Sequence, residues 1–227
     1  MNNYVALIIH NSEKSPDRIE NVEKLQILFP NNRIIKAIFP DDLKKEQIDF
    51  CTNSKNFKAM PVLYQKKFEH RIIGRYCCYL SHLKAMQYAY DNKIEDIIIF
   101  EDDAILEDKE FDFVKFLSDV DCSVANRDVH SLMYYMGGSI NPKNNNIYCL
   151  HAYYFPDWQI IGVLINALSS SNNKRAIDSM MINVLKKKNI KYAYRQVFGQ
   201  MQNSYSYIDG SVKKKPGSWV RNCTNAT

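Results

Sequence analysis

The chain has 227 residues, 46% of them hydrophobic and 12% aromatic, and a formal net charge of +5. Such a chain builds one domain with a full core, which excludes global disorder. The charge is too small and scattered to argue for a nucleic-acid partner, and no window approaches the ~20 apolar residues of a membrane span. The start, Met1-Asn2-Asn3-Tyr4, lacks the basic and apolar regions of a signal peptide, so a cytoplasmic location is expected. Six cysteines without a CxxC pair argue for reduced thiols and against a zinc framework. Two glycosylation-type sequons, at Asn222 and Asn225, fit chance in so Asn-rich a chain. The wealth of Asn, Lys and Ile points to an A+T-rich genome, bacterial or viral.

In chain order, Tyr4 to His10 is a compact apolar run that reads as a strand. Asp17 to Phe29 carries Ile19, Val22, Leu25 and Leu28 at helical spacing, ended by Pro30, and Arg33 to Phe39 reads as a second strand. Strand, helix, strand predicts a βαβ unit and a parallel sheet. Residues 41–70 look polar and irregular. Gly74 suggests a turn leading into a helix over Ser81 to Asn92, with Ser81 as its N-cap. Ile97 to Phe100 is a strand buried on both faces. Glu110 to Leu117 predicts one or two helical turns, and Leu132 to Met136 a strand ending at Gly137-Gly138. Asn145-Asn146 suits a hairpin. Tyr148 to Tyr154 and Ile160 to Ile165 read as strands, Lys174 to Lys188 as an amphipathic helix, and Tyr192 to Val197 as a last strand. The expected organisation is one domain over 1–210 and a basic, loosely held tail over 211–227.

Glu101-Asp102-Asp103 follows the Ile97 strand without a break. Ligands of open α/β sheets gather at the carboxyl ends of such strands. Three adjacent acids there repel one another unless a cation joins them, and a hard divalent ion bridged to phosphate meets that demand. A solvated acidic turn is the plain alternative. Alternate side chains point the same way, so Glu101 and Asp103 can converge on a metal. Arg75 can supply a guanidinium to phosphates, and the expected helix start at Ser81-His82 presents free N–H groups to them. Packing is the rival role for His82.

The segment Gly74-x-x-Cys77-Cys78-x-Leu80-Ser81-His82, followed by a helix and Ile98-Ile99-Phe100-Glu101-Asp102-Asp103, resembles glycosyltransferase family 25. That family comprises the lipooligosaccharide-biosynthesis enzymes and collagen galactosyltransferase-like domains. Cys77 departs from the glycine usual there. Asp17-Arg18, the Ile177-Asp178 segment and Gln200 with Ser204 resemble its other signatures, so the likeness spans residues 4–210.

The resemblance implies a single α/β domain of GT-A type and Rossmann-like form, with a mainly parallel sheet flanked by helices. It implies a nucleotide-sugar donor, UDP-linked and UDP-galactose first, and a Mn²⁺ or Mg²⁺ cofactor. Transfer would invert at the sugar carbon, to a hydroxyl on a glycan or lipid-linked saccharide. Asp103 and Glu101 are then the metal residues, with Asp102 meeting ribose or sugar hydroxyls. His10, Asn11, Arg18, Arg75, Ser81 and His82 would surround the donor; a surface salt bridge is the alternative for Arg18. Asp178 is the expected general base, against a plain helix-first-turn acid. His151 is the reserve, as base or remote metal ligand. Tyr153, Tyr154, Phe155 and Trp158 could form a sugar-stacking wall, with core burial as the rival for all but Trp158. Another metal-dependent nucleotide enzyme, or a non-catalytic nucleotide-sugar or glycan-binding module, are the competing readings.

Overall fold

The computed structural model describes residues 4–53, 62–108, 110–113, 115–116, 132–141, 146–170, 176–201, 205–206 and 211–212. The expectations for Asn145, Ser204, Asn222, Asn225 and the tail beyond 212 fall outside them.

The chain opens with β1 (Val5–His10), a 3₁₀ turn over Pro16–Arg18, α1 (Ile19–Leu28) and β2 (Asn32–Lys36). β1 and β2 pair in parallel, so the expected βαβ unit is present. β3 (Ile97–Glu101) pairs in parallel with the other side of β1, with Ile9 opposite Glu101. Because β2 and the next strand in sequence, β3, lie on opposite sides of β1, the carboxyl ends of β1 and β3 border a topological switch point, where α/β sheets open a crevice.

Four further strands complete the sheet: β4 (Ala104–Leu106), β5 (Leu132–Asn141), β6 (Asn146–Phe155) and β7 (Lys191–Gln200). The order is β2-β1-β3-β6-β5-β7-β4. β5 and β7 pair in parallel, whereas β3/β6, β5/β6 and β4/β7 pair antiparallel. β8 (Tyr205–Ser206) and β9 (Ser211–Val212) form a separate two-stranded ladder. β5 runs through Gly137-Gly138 rather than ending there, with register shifts at both glycines.

Helices cover both faces. Ile97 and Ile99 face α3 (Val62–Asp91), α4 (Trp158–Ser169) and α5 (Ile177–Lys187), whereas Ile98 and Phe100 face Val22 and Leu25 of α1. The four apolar side chains of β3 are fully buried, as the uninterrupted apolar run predicted.

Two elements differ from expectation. Residues 41–70 are not irregular throughout: α2 (Lys45–Thr52) lies there, and α3 begins at Val62. α3 then passes through Gly74 without a turn and carries Ser81 in its interior. The Ser81 hydroxyl donates back to the Cys77 carbonyl at 2.8 Å and accepts from the Ile38 N–H at 2.8 Å. It ties the helix to the end of β2 instead of capping it.

The second difference is α4, where a strand was expected over 160–165. Ile160, Ile161, Leu164 and Leu168 are buried at helical spacing, and the Asp157 carboxylate caps the start by accepting from the Gln159 N–H at 2.7 Å. Asp157→Ala is expected to cost about 1 kcal/mol of stability, measured by denaturant unfolding. An unchanged midpoint would show that the cap contributes nothing.

Candidate active site

Register builds the site. Phe100 pairs with Ala152, so the next step along the antiparallel ladder sets Glu101 beside His151 on the α3 face. His151 Nδ1 lies 2.9 Å from Glu101 Oε2 and 3.5 Å from Asp103 Oδ1. Glu101, Asp103 and His151 each offer one ligand atom, all within 4.8 Å of one another. Asp103 is 4% exposed, and its Oδ1 accepts no hydrogen bond among the described residues. Its Oδ2 accepts from Gln200 Nε2 at 2.8 Å, and its carbonyl accepts from the Met201 N–H at 2.8 Å. The end of β7 thus fixes the acid from the opposite side.

Glu101 meets α3 through its other oxygen. His82 Nε2 is 3.2 Å from Oε1, and Cys78 Sγ is 3.6 Å from the same atom. The Tyr153 hydroxyl braces His82 at Nδ1, 2.8 Å away. Burial alone would raise the Glu101 carboxyl, but hydrogen bonds from His151 and His82 outweigh it and hold it well below the usual carboxylate range. Burial would also raise Asp103, and again His151 holds it below its ordinary value. Burial and the Glu101 charge push the Cys78 thiol well above its usual range.

Groups depressed in the folded state contribute stability that is present above their unfolded pKa and lost as pH falls through that window. Wild-type stability is therefore expected to fall as pH drops below ~4, the unfolded carboxylate range. Glu101→Gln should flatten that fall; an equally steep acid profile in the variant would place the depression elsewhere.

Asp102 points to the other face of the sheet. Its Oδ1 is ion-paired with Arg18, and its Oδ2 lies 3.0 Å from His10 Nδ1 and accepts from the Ser15 hydroxyl at 3.1 Å. The expectation of a carboxylate offered to ribose meets a different arrangement: both oxygens are engaged within the protein. Arg18 is 7% exposed and also reaches Asp103 Oδ2 at 3.5 Å, so it makes a buried pair and not a surface one. Asn21 Nδ2 donates to the carbonyls of Asp102 and Ala104, 2.9 Å each, and clamps the acidic turn to α1.

A cavity of about 120 Å³ opens beside these acids. Arg18, Ser81, His82, Glu101, Asp102 and Asp103 all line it, with Ala37 to Pro40 closing one side. Three expected donor contacts lie elsewhere. His10 and Asn11 line a separate depression beside α1, and Asn11 holds its own loop through the Glu13 N–H and the Ala37 carbonyl. Arg75 is half-buried on α3 and is not among the residues lining the cavity. Ser81 touches the cavity, but from mid-helix, so α3 does not begin there. Tyr153, Tyr154 and Phe155 are fully buried in the core, and Trp158 packs against Tyr90 at 5.5 Å, so the stacking wall gives way to core packing.

Asp178 sits in the first turn of α5, where its carboxylate accepts from the Ser179 N–H at 2.6 Å. Burial raises the Cys78 thiol and the Tyr135 hydroxyl, and the Asp178 charge adds to both, but Asp178 is not among the residues lining the cavity. Ser15, Asn21 and the Tyr153 brace escaped the sequence reading. Gln200 was visible there only through the family's C-terminal signature.

Gly137 holds three strands together. A Cβ there would meet the Phe198 carbonyl oxygen at 3.0 Å, the Ala152 nitrogen at 3.2 Å and His151 Cβ at 3.3 Å. Two of those are backbone atoms of flanking strands, which cannot swing aside as a side chain tip can. Gly137→Ala is expected to cost about 1–3 kcal/mol of stability, read from the shift in denaturation midpoint. A midpoint equal to wild type would show that β6 has room to move.

The carboxylates, histidines and buried arginine gathered at this crevice are the polar groups of an enzyme site, and comparison with known proteins defines the enzyme as a glycosyltransferase. Residues 6–210 match the profile of glycosyltransferase family 25 (LPS biosynthesis protein), and the chain belongs to that family. No curated protein matches the sequence. Among solved structures, one similar chain is a glycosyltransferase involved in the glycosylation of the major capsid of PBCV-1. It is 10% identical, with coverage of 92% of this chain and 98% of that one and a TM-score of 0.46. Another is a putative glucose-1-phosphate thymidylyltransferase from Bacillus anthracis, in complex with a sucrose. It is 10% identical, with 85% and 86% coverage and a TM-score of 0.39. Among the described residues no helix is long and apolar enough to cross a membrane.

Proposed function

We propose that the crevice binds a nucleoside-diphosphate sugar, UDP-linked in the first instance, together with a Mn²⁺- or Mg²⁺-type ion. An acceptor hydroxyl on a glycan or lipid-linked saccharide then displaces the diphosphate with inversion. The observation that carries this reading is the convergence of Glu101, Asp103 and His151 within 4.8 Å at the tip of β3.

The donor set fits such an ion. Two carboxylates and one imidazole suit Mn²⁺, and the buried Asp103 Oδ1 accepts no hydrogen bond among the described residues, with His151 Nδ1 3.5 Å away. When bound, the ion would neutralise charge on the departing diphosphate. The chain's own residues prepare that event. Gln200 and the Met201 N–H fix Asp103, while His82 and His151 fix Glu101, so the carboxylates need no reorganisation during transfer. Arg18 adds fixed positive charge at the same rim. His151, tied to both acids, joins the ion's ligands in this reading, which leaves the base role to Asp178. Its carboxylate would take the proton of the acceptor hydroxyl as the new glycosidic bond forms.

The test is a panel of UDP-, GDP- and CMP-sugars with saccharide acceptors, run with Mn²⁺ and with a chelator. Acceptor-dependent release of the nucleoside diphosphate that stops on chelation is the expected result. Turnover unaffected by chelation would remove the metal from the reading, and failure of every sugar nucleotide to bind would remove the donor.

A further inference from the structure

We propose that Cys78, His82 and Glu101 form a second cation site, selective for thiophilic divalent ions such as Zn²⁺ and coupled to the first through the shared Glu101 carboxylate.

Cys78 and His82 stand four residues apart on α3, so they project from one helix face toward the same point. Sγ and Nε2 both approach Glu101 Oε1, at 3.6 Å and 3.2 Å. In a tetrahedral zinc centre, bonds of about 2.3 Å to sulfur and about 2.1 Å to nitrogen and oxygen place the S···O edge near ~3.6 Å and the N···O edge near ~3.4 Å. The protein already holds these atoms at that spacing. All three residues line the cavity, which leaves a fourth position open to solvent or ligand.

The surroundings of His82 supply an independent argument. Imidazoles that bind metal almost always donate their other ring N–H to an outer oxygen, which fixes the tautomer. His82 Nδ1 lies 2.8 Å from the hydroxyl of Tyr153, a side chain with no solvent exposure and no freedom to turn away. The thiol sets the selectivity. Sulfur and imidazole favour zinc over magnesium or manganese, whereas the Glu101–Asp103–His151 cluster, with two carboxylates, favours the harder ions.

Binding balances simply. The Cys78 S–H bond breaks, a sulfur–metal bond forms, and one proton leaves to solvent. The proton on His82 moves from Nε2, now a ligand, to Nδ1, where it is donated to the Tyr153 oxygen. Glu101 is the link: Oε1 faces the Cys78–His82 side and Oε2 faces His151. An ion on the first side draws the carboxylate out of the geometry that His151 and His82 now fix. Zinc is therefore an inhibitor of transfer, a consequence that rests on the proposed function; the binding itself does not.

Co²⁺ alone is the probe, because a thiolate ligand gives it a strong charge-transfer absorption that oxygen and nitrogen ligands do not. One equivalent is expected to produce that band in wild type and in Cys77→Ser, with Zn²⁺ displacing it. Cys78→Ser should lose the band, and Tyr153→Phe should weaken binding roughly 10–100-fold. Asp103→Asn should keep it, so a failed donor reading and a failed second site give different outcomes. If Cys78→Ser does not fold, alkylation of wild type decides instead, with Zn²⁺ slowing modification of Cys78 specifically. Cobalt binding without a thiolate band, a band that survives Cys78→Ser, or no protection by zinc would each overturn the proposal.

Discussion

Asp103→Asn is expected to lower metal-dependent sugar transfer by on the order of 10²–10³ in kcat, the scale at which one preorganised electrostatic contact acts, while leaving the fold intact. The side chain keeps its shape. Its Oδ2 position sits between Gln200 at 2.8 Å and Arg18 at 3.5 Å, and Arg18 retains Asp102 as a partner. What disappears is the negative charge at Oδ1, the buried oxygen without a hydrogen bond among the described residues. Binding of Mn²⁺, followed by the paramagnetic signal of the free ion, should weaken in step with activity. A variant that bound manganese normally and turned over at the wild-type rate would show that this carboxylate faces no ion.

The acids themselves were legible because local rules sufficed. An unbroken apolar run predicted a doubly buried strand, and the carboxyl end of such a strand predicts a ligand crevice. Strand alternation was the ground for expecting Glu101 and Asp103 to converge, although Asp102 and Asp103 form the turn between β3 and β4. Errors arose where a residue's partner lies far away in sequence. Gly74 and Ser81 look like helix stops and caps, yet the Ser81 hydroxyl is used up by Cys77 one turn back and by Ile38, 43 residues distant. The β-branched run at 160–165 resembled a strand, although Asp157 ahead of Ile160, Ile161 and Leu164 was a readable helix signal. No local pattern could show that Arg18, His10 and Ser15 close on Asp102, since 84 residues separate Arg18 from Asp102. The same holds for His151, read as a reserve and brought to Glu101 by strand register. The expectation against zinc rested on the missing CxxC pair, a local pattern that does not register Glu101 of β3 beside Cys78 and His82 of α3.

Arg18→Met should be the most damaging single change to stability, at about 3–5 kcal/mol, because it leaves Asp102 buried without its cationic partner. Burial by itself would discharge Arg18, but the carboxylates of Asp103 and Asp102 reverse that and hold it firmly charged. His10 and Ser15 still contact Asp102 Oδ2 in the variant, yet Oδ1 loses its cationic partner on a side chain that is only 11% exposed. Methionine keeps much of the side chain's volume, so the loss is electrostatic more than steric. Adding Asp102→Asn to Arg18→Met should recover part of the loss, since the uncompensated charge is then gone, and a double-mutant cycle reads the coupling directly. Equal destabilisation in the single and double variants would mean that packing of the arginine stem, not its charge, holds this turn. The acidic turn and the first helix depend on each other: Arg18 and Asn21 grip Asp102, and that grip sets where Asp103 can point. A chain that loses Arg18 should therefore lose manganese affinity even at low temperature, where it is still folded.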